Sequence, residues 1–305
     1  MGVSGTRLYD ATTNAVASDL STHTNLVGTE TLNLSGTGTI ASKNVGSNKT
    51  VSVGTLALAD GSNGGLAANY TLSGGTHQLT VNQRPLNATL SRQYDGTTTS
   101  AGSDLSSFDA LQGGETLTLS GSGTSASANV ANGIAMSSNG NLALVDGTGL
   151  ASNYSLNSTV INITERVLNS SGSKIYDANT DALAADITLS NLVSGEALNH
   201  SGTATISSAN AGSYTITNLA GITIADGSGG TASNYTLTGG THNFTVNTKV
   251  VSIQGNKTYD GNTTISSGDI TSITDTVGSE TLVISSGSGT VSSANAATYA
   301  SAGIN

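Results

Sequence analysis

A Tyr-Asp pair returns four times along this 305-residue chain, at Tyr9-Asp10, Tyr94-Asp95, Tyr176-Asp177 and Tyr259-Asp260, with spacings of 85, 82 and 83 residues. A fixed period of this length constrains the fold more than any single motif, because each copy must be one structural unit in an array. Other markers keep step. Nine residues after each of those aspartates lies another, Asp19, Asp104, Asp186 and Asp269; then come Glu30, Glu115, Glu196 and Glu280, and an S-G-x-G-T-like stretch around Gly36, Gly121, Gly202 and Gly287. Later in the unit are a D-G turn at Asp60, Asp146 and Asp226 and an N-Y pair at Tyr70, Tyr154 and Tyr235. Arg84, Arg166 and Lys249, each ten residues before a Tyr, mark the passage between units, and strand-like runs such as LTVNQRPLN and FTVNTKVVS cross those points with no Gly/Ser linker. Short, stiff junctions follow. The expected units are 1–83, lacking its first strand, then 84–165, 166–248 and a partial fourth, 249–305.

Within a unit, Val, Ile, Leu and Thr alternate with small polar residues over short runs such as ETLTLSGSG and NLALVD, separated by D-G, N-G and G-G. Alternation of this kind reads as half-buried strands, and the glycine pairs supply the positive φ that hairpin turns need. No stretch keeps a 3.6-residue period. With one proline and 9% charged residues the composition is not that of a disordered chain. The expected fold is all-β: a tandem array of small antiparallel, immunoglobulin-like β-sandwich repeats forming an elongated rod. A β-solenoid would show a shorter period, about 20–30 residues per coil.

Composition also excludes. Without cysteine there is no disulfide framework, zinc–thiolate site or thiol nucleophile. The balance of 9 basic against 19 acidic residues, a net charge of −10, argues against nucleic acid as a partner. No apolar run approaches the ~20 residues that span a bilayer, so membrane insertion is not expected. The chain opens in polar sequence with no signal-peptide pattern, which reads as a boundary inside a longer parent protein.

The motif K-x-Y-D-G-x-T, seen in KTYDGNT (257–263) and more loosely in KIYDANT (174–180) and RQYDGTT (92–98), together with the later ADGSGGTASNYTL (225–237), resembles the YDG repeat domain of large bacterial surface proteins. The resemblance covers essentially the whole chain. It implies a stalk module of a filamentous-haemagglutinin-like, two-partner-secreted or autotransported adhesin, extracellular or on the bacterial surface and without enzymatic activity. Its partners would be a host or neighbouring-cell surface protein or glycan, met through the parent protein. The first copy, RLYDATT (7–13), and Ala178 in the third depart from the glycine, which suits a tolerant turn better than a ligand contact.

Two readings of the recurring aspartates stay open. Asp10, Asp95, Asp177 and Asp260, with Asp60, Asp146 and Asp226, cap turns through their side chains, or they supply oxygen ligands to Ca2+, the one cofactor considered. The tyrosines Tyr9, Tyr94, Tyr176, Tyr259, Tyr70, Tyr154 and Tyr235 are structural markers that bury their rings and send their hydroxyls to backbone groups, as against exposed ligand platforms. The glycine stretch leads into strand-like sequence rather than a helix, so it is no phosphate loop. Of the four histidines only His77 and His242 share a slot, and nothing positions a catalytic triad. The N-Y pairs are also sequons, at Asn69, Asn153 and Asn234. The incomplete end units raise an alternative function: a subunit of an extracellular filament, self-associating by strand complementation. A glycan- or protein-binding module is a further one, disfavoured by the absence of Trp.

Overall fold

The computed structural model describes residues 1–300 and the backbone of the short strand Gly303–Ile304; the end of the fourth unit, at Asn305, lies outside the described residues. Regular structure among them consists of β-strands and single turns of 3-10 helix. The chain divides into two compact units, Met1–Arg166 with the first two repeats and Val167–Asn305 with the third and fourth.

In the first repeat one sheet runs in the order Asn14–Val16, Thr37–Ile40, Gly46–Ser52, His77–Asn82, Gly2–Leu8, Thr22–Thr24. A second pairing, Leu32–Ser35 with Ala57–Asp60, packs Leu34 and Leu58 against the same core. The second repeat has the same order, with Arg84–Gln93 and Tyr154–Thr164 at its centre, and so does the third, with Asn169–Ile175 and His242–Asn247. The alternation seen in the sequence is the alternation of burial: Leu79 and Val81 are buried from one strand, Leu86, Ala88 and Leu90 from the next. Each fully buried leucine contributes roughly 1.5–3 kcal/mol. In the first compact unit the core is continuous across the repeat boundary, from Val3 and Tyr9 to Leu117 and Tyr154.

The all-β, sandwich-like repeat is as expected, with one difference in the pairing. The first and last strands of each complete repeat lie side by side and run parallel: Val3–Leu8 against His77–Asn82, Arg84–Gln93 against Tyr154–Thr164, and Ser170–Ile175 against His242–Asn247. In a tandem array the chain enters each unit at one end and leaves at the other. Its first and last strands must therefore point the same way, and alternation of side chains cannot reveal this. A correction concerns the first unit, which does not lack its opening strand. Gly2–Leu8 holds that place, in register from Val3 opposite His77 to Leu8 opposite Asn82. The basic residue taken as the strand's marker belongs instead to the joint described below.

One glycine organises the two pairings. At Gly36, Gly121 and Gly202 φ is +83°, +80° and +102°, and a Cβ would lie 2.1, 2.2 and 1.9 Å from the carbonyl oxygens of Thr55, Asn141 and Gly221. There the strand bends out of one pairing into the other. In the third repeat Leu198–Ile206 runs through the bend unbroken, pairing first with Ile222–Asp226 and then with Asp181–Leu183 and Gly212–Asn218.

The fourth unit keeps the opening pattern only. Ser252–Gly255 pairs with Ile270–Thr274, and Thr264–Ser266 pairs with Ser288–Thr290, which pairs with Gly303–Ile304.

Candidate functional site

The recurring Tyr-Asp corner is a turn tied by its own aspartate. The Oδ1 atoms of Asp10, Asp95, Asp177 and Asp260 accept the backbone N–H two residues on, from Thr12, Thr97, Asn179 and Asn262, at 2.9, 2.9, 3.2 and 3.0 Å. Each also pairs with the basic residue three positions earlier: Arg7 at 2.7 Å, Arg92, Lys174 at 2.8 Å and Lys257 at 2.8 Å. That basic head group bonds the far side of the loop as well, Lys174 donating to the carbonyls of Asn179 and Asp181 at 2.9 and 2.7 Å. The third residue of the motif sits at positive φ in every copy, +63° at Ala11, +77° at Gly96, +64° at Ala178 and +78° at Gly261. The turn therefore selects glycine, and alanine is tolerated at a cost of about 1 kcal/mol.

The other aspartates behave alike. Asp60, Asp146 and Asp226 accept the amides of Ala67, Ala151 and Ala232 at 2.7, 2.6 and 2.7 Å. Among the described residues no three His, Cys, Asp or Glu side chains come together as a metal site. Each of these seven carboxylates accepts a nearby backbone amide, as a turn-capping aspartate does.

What the fold does bring together is a joint between the first and second repeats. Tyr9, fully buried, donates its hydroxyl to Oε1 of Glu115 at 2.7 Å, and Tyr154 donates to Oε2 at 2.9 Å. The two rings meet edge to face with centroids 5.3 Å apart. Lys43 completes the carboxylate's shell at 2.6 Å. Around this centre Arg84 Nε donates to the carbonyl of Tyr9 at 2.7 Å, the amide of Val45 donates to Asn153 Oδ1 at 2.9 Å, and Asn153 Nδ2 donates to Asn44 Oδ1 at 3.1 Å. The Tyr-Asp corner of one repeat is thus a plug, and the glutamate and N-Y pair of the next form its socket. The socket is braced from within its own repeat: the Tyr154 hydroxyl also accepts the amide of Gln112 at 3.1 Å, as Tyr70 accepts Val27 at 2.9 Å and Tyr235 accepts Val193 at 3.0 Å. In the second compact unit Tyr176 of the third repeat likewise donates to Glu280 of the fourth.

Electrostatics makes this joint sensitive to pH at both extremes. Burial pushes the Glu115 carboxyl up, but hydrogen bonds from Lys43, Tyr9 and Tyr154 outweigh it and hold the carboxyl below its ordinary 4.5. Burial, reinforced by the Glu115 carboxylate, pushes Tyr154 up from 10.0 to about 12. A depressed carboxyl contributes stability that is present above 4.5 and is lost as pH falls through its folded value. A raised phenol contributes stability that is complete below pH 10.0 and is lost as pH rises toward 12. The thermal midpoint of residues 1–166, followed by near-ultraviolet circular dichroism, should form a plateau between those limits and fall on either side. A midpoint still rising at pH 3 would contradict the joint.

Sequence reasoning singled out these tyrosines but not their partners, expecting backbone acceptors where the hydroxyls of Tyr9 and Tyr154 find a carboxylate. It also passed over the loop of Lys43, Asn44 and Val45. That loop has a recurring signature, S-x-N, whose serine Oγ accepts the Asn amide at Ser42, Ser127, Ser208 and Ser293, at 3.3, 3.0, 3.2 and 3.2 Å. Two of the N-Y sequons are closed to modification in the folded chain, since Asn153 and Asn234 are buried; Asn69 is exposed. His77 and His242 each bond a carbonyl five residues back, Leu72 at 2.8 Å and Leu237 at 2.9 Å. Ser170 contacts the other nitrogen of His242 at 2.9 Å but is 3% exposed.

A family model described as the YDG domain matches residues 2–79, 75–161 and 163–244, three successive copies over most of the chain. No curated protein and no solved structure matches it.

Proposed function

The chain belongs to the YDG domain family, and on that premise we propose that it is a non-catalytic, force-transmitting stalk segment of a bacterial cell-surface or secreted adhesin. It holds binding domains of a longer parent away from the cell, toward a host or neighbouring-cell protein or glycan. The observation that carries this reading is the parallel pairing of first and last strands at the centre of every complete repeat. Tension on a tandem array pulls a repeat's first strand toward one end and its last toward the other, so the hydrogen bonds between them are loaded together in shear rather than unzipped one by one. The chain passes from Asn82 to Arg84 through Gln83 alone, so no slack separates the first clamp from the second.

Single-molecule pulling tests it. Repeats should open in discrete steps, each releasing roughly 280 Å of chain, about 83 residues at ~3.4 Å each. Smooth extension with no steps would sink the stalk reading.

A further inference from the structure

Tyr9 and Tyr154 are two phenols held on one base. Tyr9 is fully buried and Tyr154 is 2% exposed, their ring centroids lie 5.3 Å apart, and their hydroxyls end on the two oxygens of a single carboxylate, that of Glu115. A dityrosine bond joins the ring carbons next to the two hydroxyls, and anchoring both hydroxyls on one carboxylate keeps those carbons in the same small volume. The two rings belong to successive repeats, so a bond between them would weld the first repeat to the second. This chain has no cysteine to do so.

A phenol gives up an electron readily when its proton can leave with it. Burial, reinforced by Glu115, pushes Tyr154 up to about 12, so at neutral pH no phenolate precedes oxidation and the proton must pass to a neighbour as the electron departs. Glu115 is that neighbour for both rings. Burial pushes its carboxyl up, but hydrogen bonds from Lys43, Tyr9 and Tyr154 outweigh it and hold it below the ordinary 4.5, so at neutral pH it stands ionised and able to accept. The electron can tunnel out of a buried ring, whereas the ring carbons are closed to other chains. A radical formed on one ring therefore meets the other ring first.

We propose that Tyr9 and Tyr154 are a modification site, at which a diffusible one-electron oxidant turns the pair into an intramolecular dityrosine while Glu115 takes the protons. Each ring gives one electron to the oxidant and one proton, through Glu115, to water. The two phenoxyl radicals join carbon to carbon, and the ring hydrogens at the new bond move to the oxygens, which restores both phenols. Two equivalents of oxidant are consumed, and the product is two hydrogens lighter than the parent chain. The inference rests on the observed joint and not on the adhesin reading, which a negative result here would leave standing.

Illuminated ruthenium tris-bipyridine with persulfate supplies the oxidant for the test, applied to the dilute full chain and followed by intact mass, dityrosine fluorescence and peptide mapping. The chain should stay monomeric, become two hydrogens lighter, and yield a peptide pair linked through Tyr9 and Tyr154. Tyr154→Phe, which keeps the ring and removes its hydroxyl, should yield no such pair. Glu115→Gln, which takes no proton, should form the link about tenfold more slowly, with near-ultraviolet circular dichroism showing that the rings stay together. Where that variant loosens the joint, the parent chain in D2O replaces it, and linkage should be slower there than in H2O. Oxidation of other tyrosines without the Tyr9–Tyr154 peptide pair would overturn the proposal. So would linkage at the parent's rate in a folded Glu115→Gln chain, or equal rates for the parent in H2O and D2O.

Discussion

Glu115→Ala should uncouple the first two repeats, lowering the stability of their joint by about 3–4 kcal/mol. The Glu115 side chain is 8% exposed and accepts from Tyr9, Tyr154 and Lys43. Its removal leaves two phenolic donors unpaired in a buried setting, each costing about 1–3 kcal/mol, while Lys43, 41% exposed, can return to water at little cost. The first repeat's core runs on into the second at Leu86, Leu117 and Tyr154, and residues 1–166 form one compact unit that should melt as one body in the parent. In the variant the transition should fall by roughly 10 °C or split in two. Glu30→Ala is the matched comparison: its tyrosine is half-buried, so about 1 kcal/mol is expected. Glu115→Gln, which keeps an acceptor but loses the charge, should fall between them. A Glu115→Ala protein melting in a single step within a degree of the parent would mean that the carboxylate does not lock the joint.

The parts of this structure that repeat within one unit were legible in the sequence, and the parts that join units were not. Asp10 and its counterparts could be read as turn residues because the amide they accept is two residues away. Tyr9 and Glu115 are 106 residues apart and in different copies, so no local pattern relates them. The usable signal was that a glutamate returned in every copy although a solvated strand position has no reason to keep one. The Lys43–Val45 loop was hidden by composition, since S-x-N is unremarkable in a chain so rich in Ser, Ala and Asn. The first strand is likewise hard to see in the sequence, because Gly2–Leu8 carries little alternation. Arg84 opens the equivalent strand of the second repeat and also serves the preceding repeat by bonding the Tyr9 carbonyl, whereas Gly2–Leu8 holds its place through its register with His77–Asn82. Parallel pairing of first and last strands is a property of chain direction, which side-chain periodicity does not encode.

Gly121→Ala should destabilise the second repeat by about 2–4 kcal/mol. Two costs combine. Alanine at φ +80° gives up about 1 kcal/mol relative to glycine. The Cβ would also stand 2.2 Å from the Asn141 carbonyl oxygen and 2.8 Å from its carbon, and backbone cannot rotate aside as a side chain can, so the strand or its neighbour must shift, at about 1–3 kcal/mol. The shift strikes where Leu117–Ser120 leaves its pairing with Ala143–Asp146 and Ser122–Ser125 joins Ala131–Ser138, so both layers lose register together. Gly114→Ala separates the terms, because φ there is +72° but nothing lies within 4 Å of the new Cβ; about 1 kcal/mol is expected. Chemical denaturation of the two variants beside the parent decides the matter. Equal losses would show that backbone conformation alone requires the glycine; a loss at Gly121 several times that at Gly114 would locate the requirement in the close crossing of strands that lets one chain segment serve both layers.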